Sequence, residues 1–255
     1  MKDEQIIEGR NPVLEALRSG RTIDRLLVAR GASEGTMREI ISRARERGIK
    51  VQEEDRKRLD QISGSGSHQG VIAYAAPYQY AEVEEIIRRA KEKGEHPFLI
   101  ILDEITDPQN LGAIIRTAEC SGAHGVIIPK HRSAGLTPAV AKASAGAVEY
   151  MPVARVTNLA RLLDQLKDQG IWVAGADMDG TDYTGLDLTG PVALVIGSEG
   201  QGIRRLVKEK CDFLARIPMK GRIGSLNASV AAGILMYEVV RQRGQGEGNA
   251  GNTAG

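Results

Sequence analysis

Three short stretches of this sequence concentrate residues able to do chemistry. The first is LDEITDPQNLGAIIRTAECSGA at 102–123. An apolar strand pattern gives way to a polar turn, and a helix opens near Asn110. That order places Asp107, Asn110 and the first helical turn at the C-terminal edge of a sheet, where open α/β folds bind ligands. Arg116 follows a little under two helical turns later. A carboxamide and a guanidinium so placed can hold a polar substrate, although Asn110 can equally be a cap and Arg116 a surface residue. The second stretch is ALVIGSEGQGI at 193–203. Here an apolar strand runs into Gly197-Ser198-Glu199-Gly200-Gln201-Gly202, a turn whose backbone can approach a ligand closely and offer it N–H groups. Its glycine spacing is neither that of a P-loop nor that of a dinucleotide fingerprint. The third is ARIPMKGRIGSLNASVAAGILMYEVVRQR at 215–243. A strand leads into a loop with Pro218, Gly221 and Gly224, and Ser225-Leu226-Asn227 then opens an alanine-rich helix. Ser225 or Asn227 can cap that helix, or the polar groups at its start can face a substrate. Ala228, Ala231, Ala232 and Gly233 suit very close packing, within the chain or between chains.

The elements that must position these stretches lie in residues 96–243. Continuous apolar runs at 98–102, 125–128, 171–174 and 192–196 read as strands buried on both faces of a parallel sheet. Helical patterns at 111–120, 138–145, 158–169, 203–210 and 228–241 alternate with them, which predicts an α/β fold with helices covering the sheet. Residues 1–77 read as a smaller α/β unit. Asn11-Pro12 is expected to cap and open its first helix, a strand follows at 23–29, and Ser33 is expected to cap a second helix ending at Gly48. Strands at 49–52 and 70–76 flank a short helix and the SGSGS run at 63–67. Residues 78–95 are charged and partly helical and read as a linker, although Val83, Ile86 and Ile87 can pack. The stretch 244–255 has almost no apolar residue and is expected to be disordered.

Composition narrows the classes. Aromatics are only 4%, so Ile, Leu, Val and Ala must build the core. The 2 cysteines form no pair motif and the 4 histidines show no ligand spacing, so a metal-free protein with reduced thiols in the cytoplasm is expected. No apolar run reaches membrane length, and the N-terminus lacks the apolar core of a signal peptide. A net charge of +1 leaves nucleic-acid binding to local patches. Lys130, Arg132, Lys142, Lys220 and Arg222, and the arginines of 42–50 and 55–59, are candidates for phosphate contacts.

In order and together, NLGAIIRTAECSGA, LVIGSEGQGI and IPMKGRIGSLNASVAAGILMYE resemble the three signature motifs of the SpoU–TrmH family of RNA 2′-O-ribose methyltransferases, with no departure at the polar positions. Residues 1–77, with IIEGRNPVLEAL and HQGVIA, resemble the ribosomal-protein-like RNA-binding domain of some members. The resemblance spans nearly all of 5–243 and is greatest to members that methylate a guanosine of 23S rRNA. It implies a methyltransferase domain threaded into a trefoil knot and S-adenosylmethionine bound bent in that knot. It also implies a homodimer whose sites are completed by the partner subunit. DNA and membranes are not expected as partners.

By the same resemblance Arg116 activates the ribose hydroxyl, Asn110 orients the ribose or Arg116, Glu199 holds Arg116 or Asn227, and Ser225 and Asn227 position the hydroxyl and the amino-acid end of the cofactor. Gly197, Ile217, Leu226 and Ser144 are the implied cofactor contacts. The reaction needs alignment most, with proton removal contributing roughly 10²–10⁴-fold. Arginine resists deprotonation, so Arg116 can instead hold a substrate phosphate that polarises the hydroxyl. A tRNA 2′-O-methyltransferase and a non-catalytic RNA-binding protein are the alternatives. A dehydrogenase is disfavoured by the missing glycine fingerprint.

Overall fold

The computed structural model describes residues 5–32, 34–64 and 66–250, with side chains to 244. Two compact units form, one from residues 1–79 with 135–150 and the other from 80–134 with 151–255.

The first unit contains β1 (Gln5–Glu8), α1 (Arg10–Arg18), β2 (Ile23–Ala29), α2 (Thr36–Glu46), β3 (Lys50–Glu54), α3 (Arg56–Ile62) and β4 (Val71–Ala75). Its sheet runs β1-β4-β2-β3, with β4 antiparallel to both neighbours and β2 parallel to β3. The apolar stripes of α1 and α2, including Val13, Leu17, Met37 and Ile40, close over Ile7, Leu26, Val28 and Ala73. Asn11 does not cap α1. The helix starts two residues earlier, behind Gly9 at φ 98, and Pro12 sits in the first turn, where its missing N–H costs nothing. Ser33 lies outside the described residues, and Gly35 precedes α2.

The second unit opens with α4 (Val83–Glu92), β5 (Phe98–Asp103), α5 (Pro108–Cys120) and β6 (Gly125–Pro129). Residues 78–95 are not a tether. Val83, Ile86 and Ile87 of α4 join Leu99, Ile127, Val195 and Leu163 in one core, because the helix presents these three on one apolar stripe. The chain next forms α6 (Pro138–Ala143) and a 3-10 turn at Ala147–Glu149, both belonging to the first unit. There Glu149 pairs with Arg21 at 2.8 Å, both side chains nearly buried. Tyr78 donates its hydroxyl to Glu149 at 2.8 Å and lies under the Arg21 guanidinium, 3.5 Å from ring centre to Cζ. Burial, then the Glu149 charge, push the Tyr78 hydroxyl well above its ordinary pKa.

Back in the second unit follow β7 (Val153–Val156), α7 (Leu159–Asp168), β8 (Trp172–Asp182), β9 (Val192–Gly197), α8 (Arg205–Lys208), β10 (Phe213–Arg216) and α9 (Ala228–Ala250). The sheet order is β10-β8-β9-β5-β6-β7, parallel throughout. The helix expected at 203–210 shrinks to the one turn of α8, because a Ser198–Gly202 bridge occupies the chain just before it. α9 continues past Gly244, where disorder was expected. Propagating an established helix adds a backbone bond for each residue fixed. Residues 251–255 lie outside those described. No helix among the described residues is long and apolar enough to cross a membrane.

Candidate active site

β5 and β9 are paired in register to their last residues, Asp103 opposite Gly197. Two loops therefore leave the sheet side by side. Asp103 is fully buried and fastens the glycine loop from below. One of its oxygens accepts the Arg204 backbone N–H at 2.9 Å, and the other accepts Nε at 2.8 Å and Nη2 at 2.7 Å. The Asp103 hydrogen bond holds the Arg204 guanidinium above its ordinary pKa. Ser198 and Gly202 close the loop with reciprocal backbone bonds of 3.2 and 2.9 Å. Gly197 is obligatory here, since a Cβ would lie 2.1 Å from the Gly202 carbonyl carbon and 2.3 Å from the Ile203 nitrogen.

Asp107, not Asn110, caps α5. Its carboxylate accepts the N–H groups of Gln109 and Asn110 at 3.2 Å, and Pro108 opens the helix. The Asn110 side chain is thereby left for other work. Its Nδ2 donates to Glu199 Oε1 at 2.9 Å, and its Oδ1 accepts Asn227 Nδ2 at 2.9 Å. Asn227 caps α9, accepting at Oδ1 the N–H of Ser229 at 3.0 Å and of Val230 at 3.3 Å. Its Nδ2 also donates to Glu199 Oε1 at 2.5 Å, and the Ala228 N–H reaches the same oxygen at 3.3 Å. One carboxylate oxygen so gathers a residue from each of the three sequence stretches, and carboxylates form the stronger class of such bonds.

Beside this cluster opens a cavity of about 510 Å³, within the range of cofactor sites. Gly197, Ile217, Ser225 and Leu226 line it together with Ile196, Glu199 and Ala215. Its walls are largely backbone and aliphatic.

The SpoU rRNA Methylase family profile matches residues 97–237, and a profile for RNA 2′-O ribose methyltransferase substrate binding matches 6–81. The chain belongs to the SpoU methylase family. YacO of Bacillus subtilis, named for the TrmH family of tRNA/rRNA methyltransferases, is 54% identical over 92% of this chain and 94% of its own length. A Staphylococcus haemolyticus protein named for the same family is 49% identical over 97% of this chain and 100% of its own length. Among solved structures, the SpoU methyltransferase AviRb from Streptomyces viridochromogenes, crystallised with its cofactor AdoMet, superposes with a TM-score of 0.78. It is 28% identical, covering 95% of this chain and 91% of AviRb. An AdoMet-bound rRNA methyltransferase from Sinorhizobium meliloti gives 0.73 at 28% identity over 93% and 87%. The chain is thus an RNA methyltransferase of the SpoU/TrmH family that uses S-adenosylmethionine. The large cavity and the glycine-walled turn beside it fit that cofactor.

Arg116 is exposed on α5 and makes no hydrogen bond or ion pair with a described residue. Glu199 therefore holds the two asparagines and not Arg116. Ser144 is buried in the first unit, where its hydroxyl donates to Ala141 O at 3.0 Å and accepts the Val148 N–H at 3.4 Å. A serine just past a helix satisfies its own turn in this way.

Sequence reasoning missed Asp103 and Arg204, and also Asp177, Asp179 and Lys208, which line the cavity. Lys208 pairs with Asp177 at 2.8 Å and Asp179 at 3.2 Å, and hydrogen bonds to these carboxylates hold its pKa above the ordinary lysine value. An acid ending a buried strand was the available signal for Asp103. Nothing in the local sequence links Asp177 to Lys208.

Proposed function

We propose that this enzyme transfers a methyl group to the ribose 2′-hydroxyl of a guanosine in 23S rRNA, the reaction of RlmB, acting as a homodimer in the cytoplasm. The convergence of Asn110, Glu199 and Asn227 at the mouth of the cavity carries the reading. Bound S-adenosylmethionine supplies an electrophilic methyl on a sulfonium. The chain's own residues then have to align the hydroxyl and ease loss of its proton. Glu199 locks the two carboxamides, so that they meet the ribose already oriented. Arg116, unpaired among the described residues, is free to grip a substrate phosphate bidentately. The backbones of Gly197, Ile217 and Leu226 are the cofactor's cradle. The trefoil knot is part of this reading. Its support is the likeness to the SpoU methylase family over residues 97–237. α9 leaves Val230 and Tyr237 about half exposed, as a dimer face would.

The rRNA assignment is favoured by the full-length likeness to an rRNA methyltransferase over 93% of this chain. The A. aeolicus TrmH/SpoU tRNA modifying enzyme matches only 64% of it, with a TM-score of 0.54. The test is labelled S-adenosylmethionine with 23S rRNA lacking its own ribose methylation, read as gaps in an alkaline ladder. A single gap at a guanosine, lost in Arg116→Ala, is expected. Label in tRNA instead would retain the chemistry and overturn the substrate. Cofactor binding without transfer to either RNA would point to an assembling ribosomal particle, and no cofactor binding would leave an RNA-binding protein.

A further inference from the structure

Asp177 lies on β8 and Lys208 on α8, so their ion pair joins two walls of the cofactor cavity. Neither residue belongs to a signature stretch. Asp177 Oδ1 is saturated, receiving Lys208 Nζ at 2.8 Å and the Asp179 N–H at 3.0 Å. Oδ2 has no hydrogen-bond partner among the described residues, and the side chain is only 15% exposed. A carboxylate with one oxygen fixed and the other facing a cavity is an acceptor in want of a donor.

S-adenosylmethionine offers three kinds of donor: the α-ammonium, the adenine amino group and the ribose hydroxyls. Charge alone does not exclude the ammonium, since Asp177, Asp179 and Lys208 together leave a net negative charge; deoxy analogues of the cofactor separate it from the ribose hydroxyls. The adenine amino group rides on a flat apolar ring, which suits the aliphatic wall of Ile196, Ile217 and Leu226. The ribose hydroxyls are neutral donors, compatible with the neighbouring ammonium. A carboxylate receiving a ribose hydroxyl is also the device that dinucleotide-binding folds use. We propose that Asp177 binds the ribose hydroxyls of the cofactor's adenosine and that Lys208 is the positioning residue that keeps Asp177 turned towards them. Asp179, 83% exposed on the rim, is the outer anchor of Lys208. The inference rests on the cavity being the cofactor site.

Calorimetry of the intact protein with S-adenosylhomocysteine, and with its 2′-deoxy and 3′-deoxy analogues, tests it without any methyl transfer. The unaltered protein should bind at least one deoxy analogue roughly 10–100-fold more weakly, the worth of a charged hydrogen bond. Asp177→Asn should weaken S-adenosylhomocysteine by a similar factor, yet bind that deoxy analogue within about twofold of the unaltered protein. Lys208→Met should show the same pattern at smaller amplitude, with thermal melting confirming each fold. Equal losses for all ligands in Asp177→Asn, or none, would overturn the role of Asp177. Equal affinity of the unaltered protein for all ligands would do so without any variant. Failure of the unaltered protein to bind S-adenosylhomocysteine would instead overturn the cavity assignment beneath it.

Discussion

Replacing Arg204 with methionine would leave the Asp103 carboxylate fully buried with only the backbone N–H of residue 204 as donor. The change removes two short contacts to a charged group, Nε at 2.8 Å and Nη2 at 2.7 Å. Breaking a buried pair from one side costs about 3–5 kcal/mol. Arg204 is itself 43% exposed, so solvent screening lowers the expectation to about 2–3 kcal/mol. For a domain of this size each kcal/mol moves the midpoint by about 2–4 °C, which gives a fall of about 4–12 °C. Calorimetric melting measures that fall. The same variant should bind cofactor more weakly at 25 °C, since the loop that Asp103 fastens carries Glu199. The double variant Asp103→Leu with Arg204→Met should recover most of the stability, because an apolar pair can replace a buried ionic one. Cofactor affinity should stay low in it, because the loop has lost its anchor. A single variant melting within about 1 °C of the unaltered protein would refute the reasoning.

Gly197→Ala should abolish cofactor binding in calorimetry while circular dichroism stays native, because the Cβ would press into the Gly202 carbonyl at 2.1 Å. Glu199→Gln replaces a charged acceptor of three donors with a neutral one. Turnover should fall by roughly 10–100-fold, with melting little changed because the residue is exposed. Burial, then the Asp212 charge, push the Cys211 thiol up to about 12, whereas Cys120 is exposed. Iodoacetamide at pH 8 should therefore label Cys120 alone in the native protein, as mass spectrometry will show. Because the folded pKa lies above the ordinary value, the stability linked to Cys211 is complete below pH 9 and declines as pH rises towards about 12. Cys211→Ala should flatten that decline.

Most of the parallel sheet was legible because its strands are unbroken apolar runs, and such runs mean burial on both faces. β7 was not legible, since VARV carries a charge and is only four residues long. Residues 78–95 read as a partly helical linker because the charged residues, among them Arg88 and Glu92, outnumber the apolar stripe of α4. The spacing of that stripe was the better guide. At the site, residue types singled out Asn110, Glu199 and Asn227, which the structure brings together, and of the two partners expected for Glu199 it shows Asn227. Whether Glu199 holds an arginine or two asparagines depends on which side chains the helix starts aim at one oxygen, and sequence separation does not encode that. Asp103–Arg204 and Asp177–Lys208 were invisible for the same reason, each joining elements far apart in the chain.

The early residues of the first unit must wait for a late segment. Arg21 and Tyr78 find their shared carboxylate only in Glu149, and that residue is synthesised after β5, α5 and β6 of the other unit. At synthesis rates of about 5–20 residues per second, the roughly seventy intervening residues impose a lag of about 4–14 s. During that lag Arg21 and Tyr78 lack the carboxylate they share in the folded unit. A fragment cut at residue 79 would stay in that state permanently. The first unit is therefore a poor candidate for separate expression unless residues 135–150 are supplied with it.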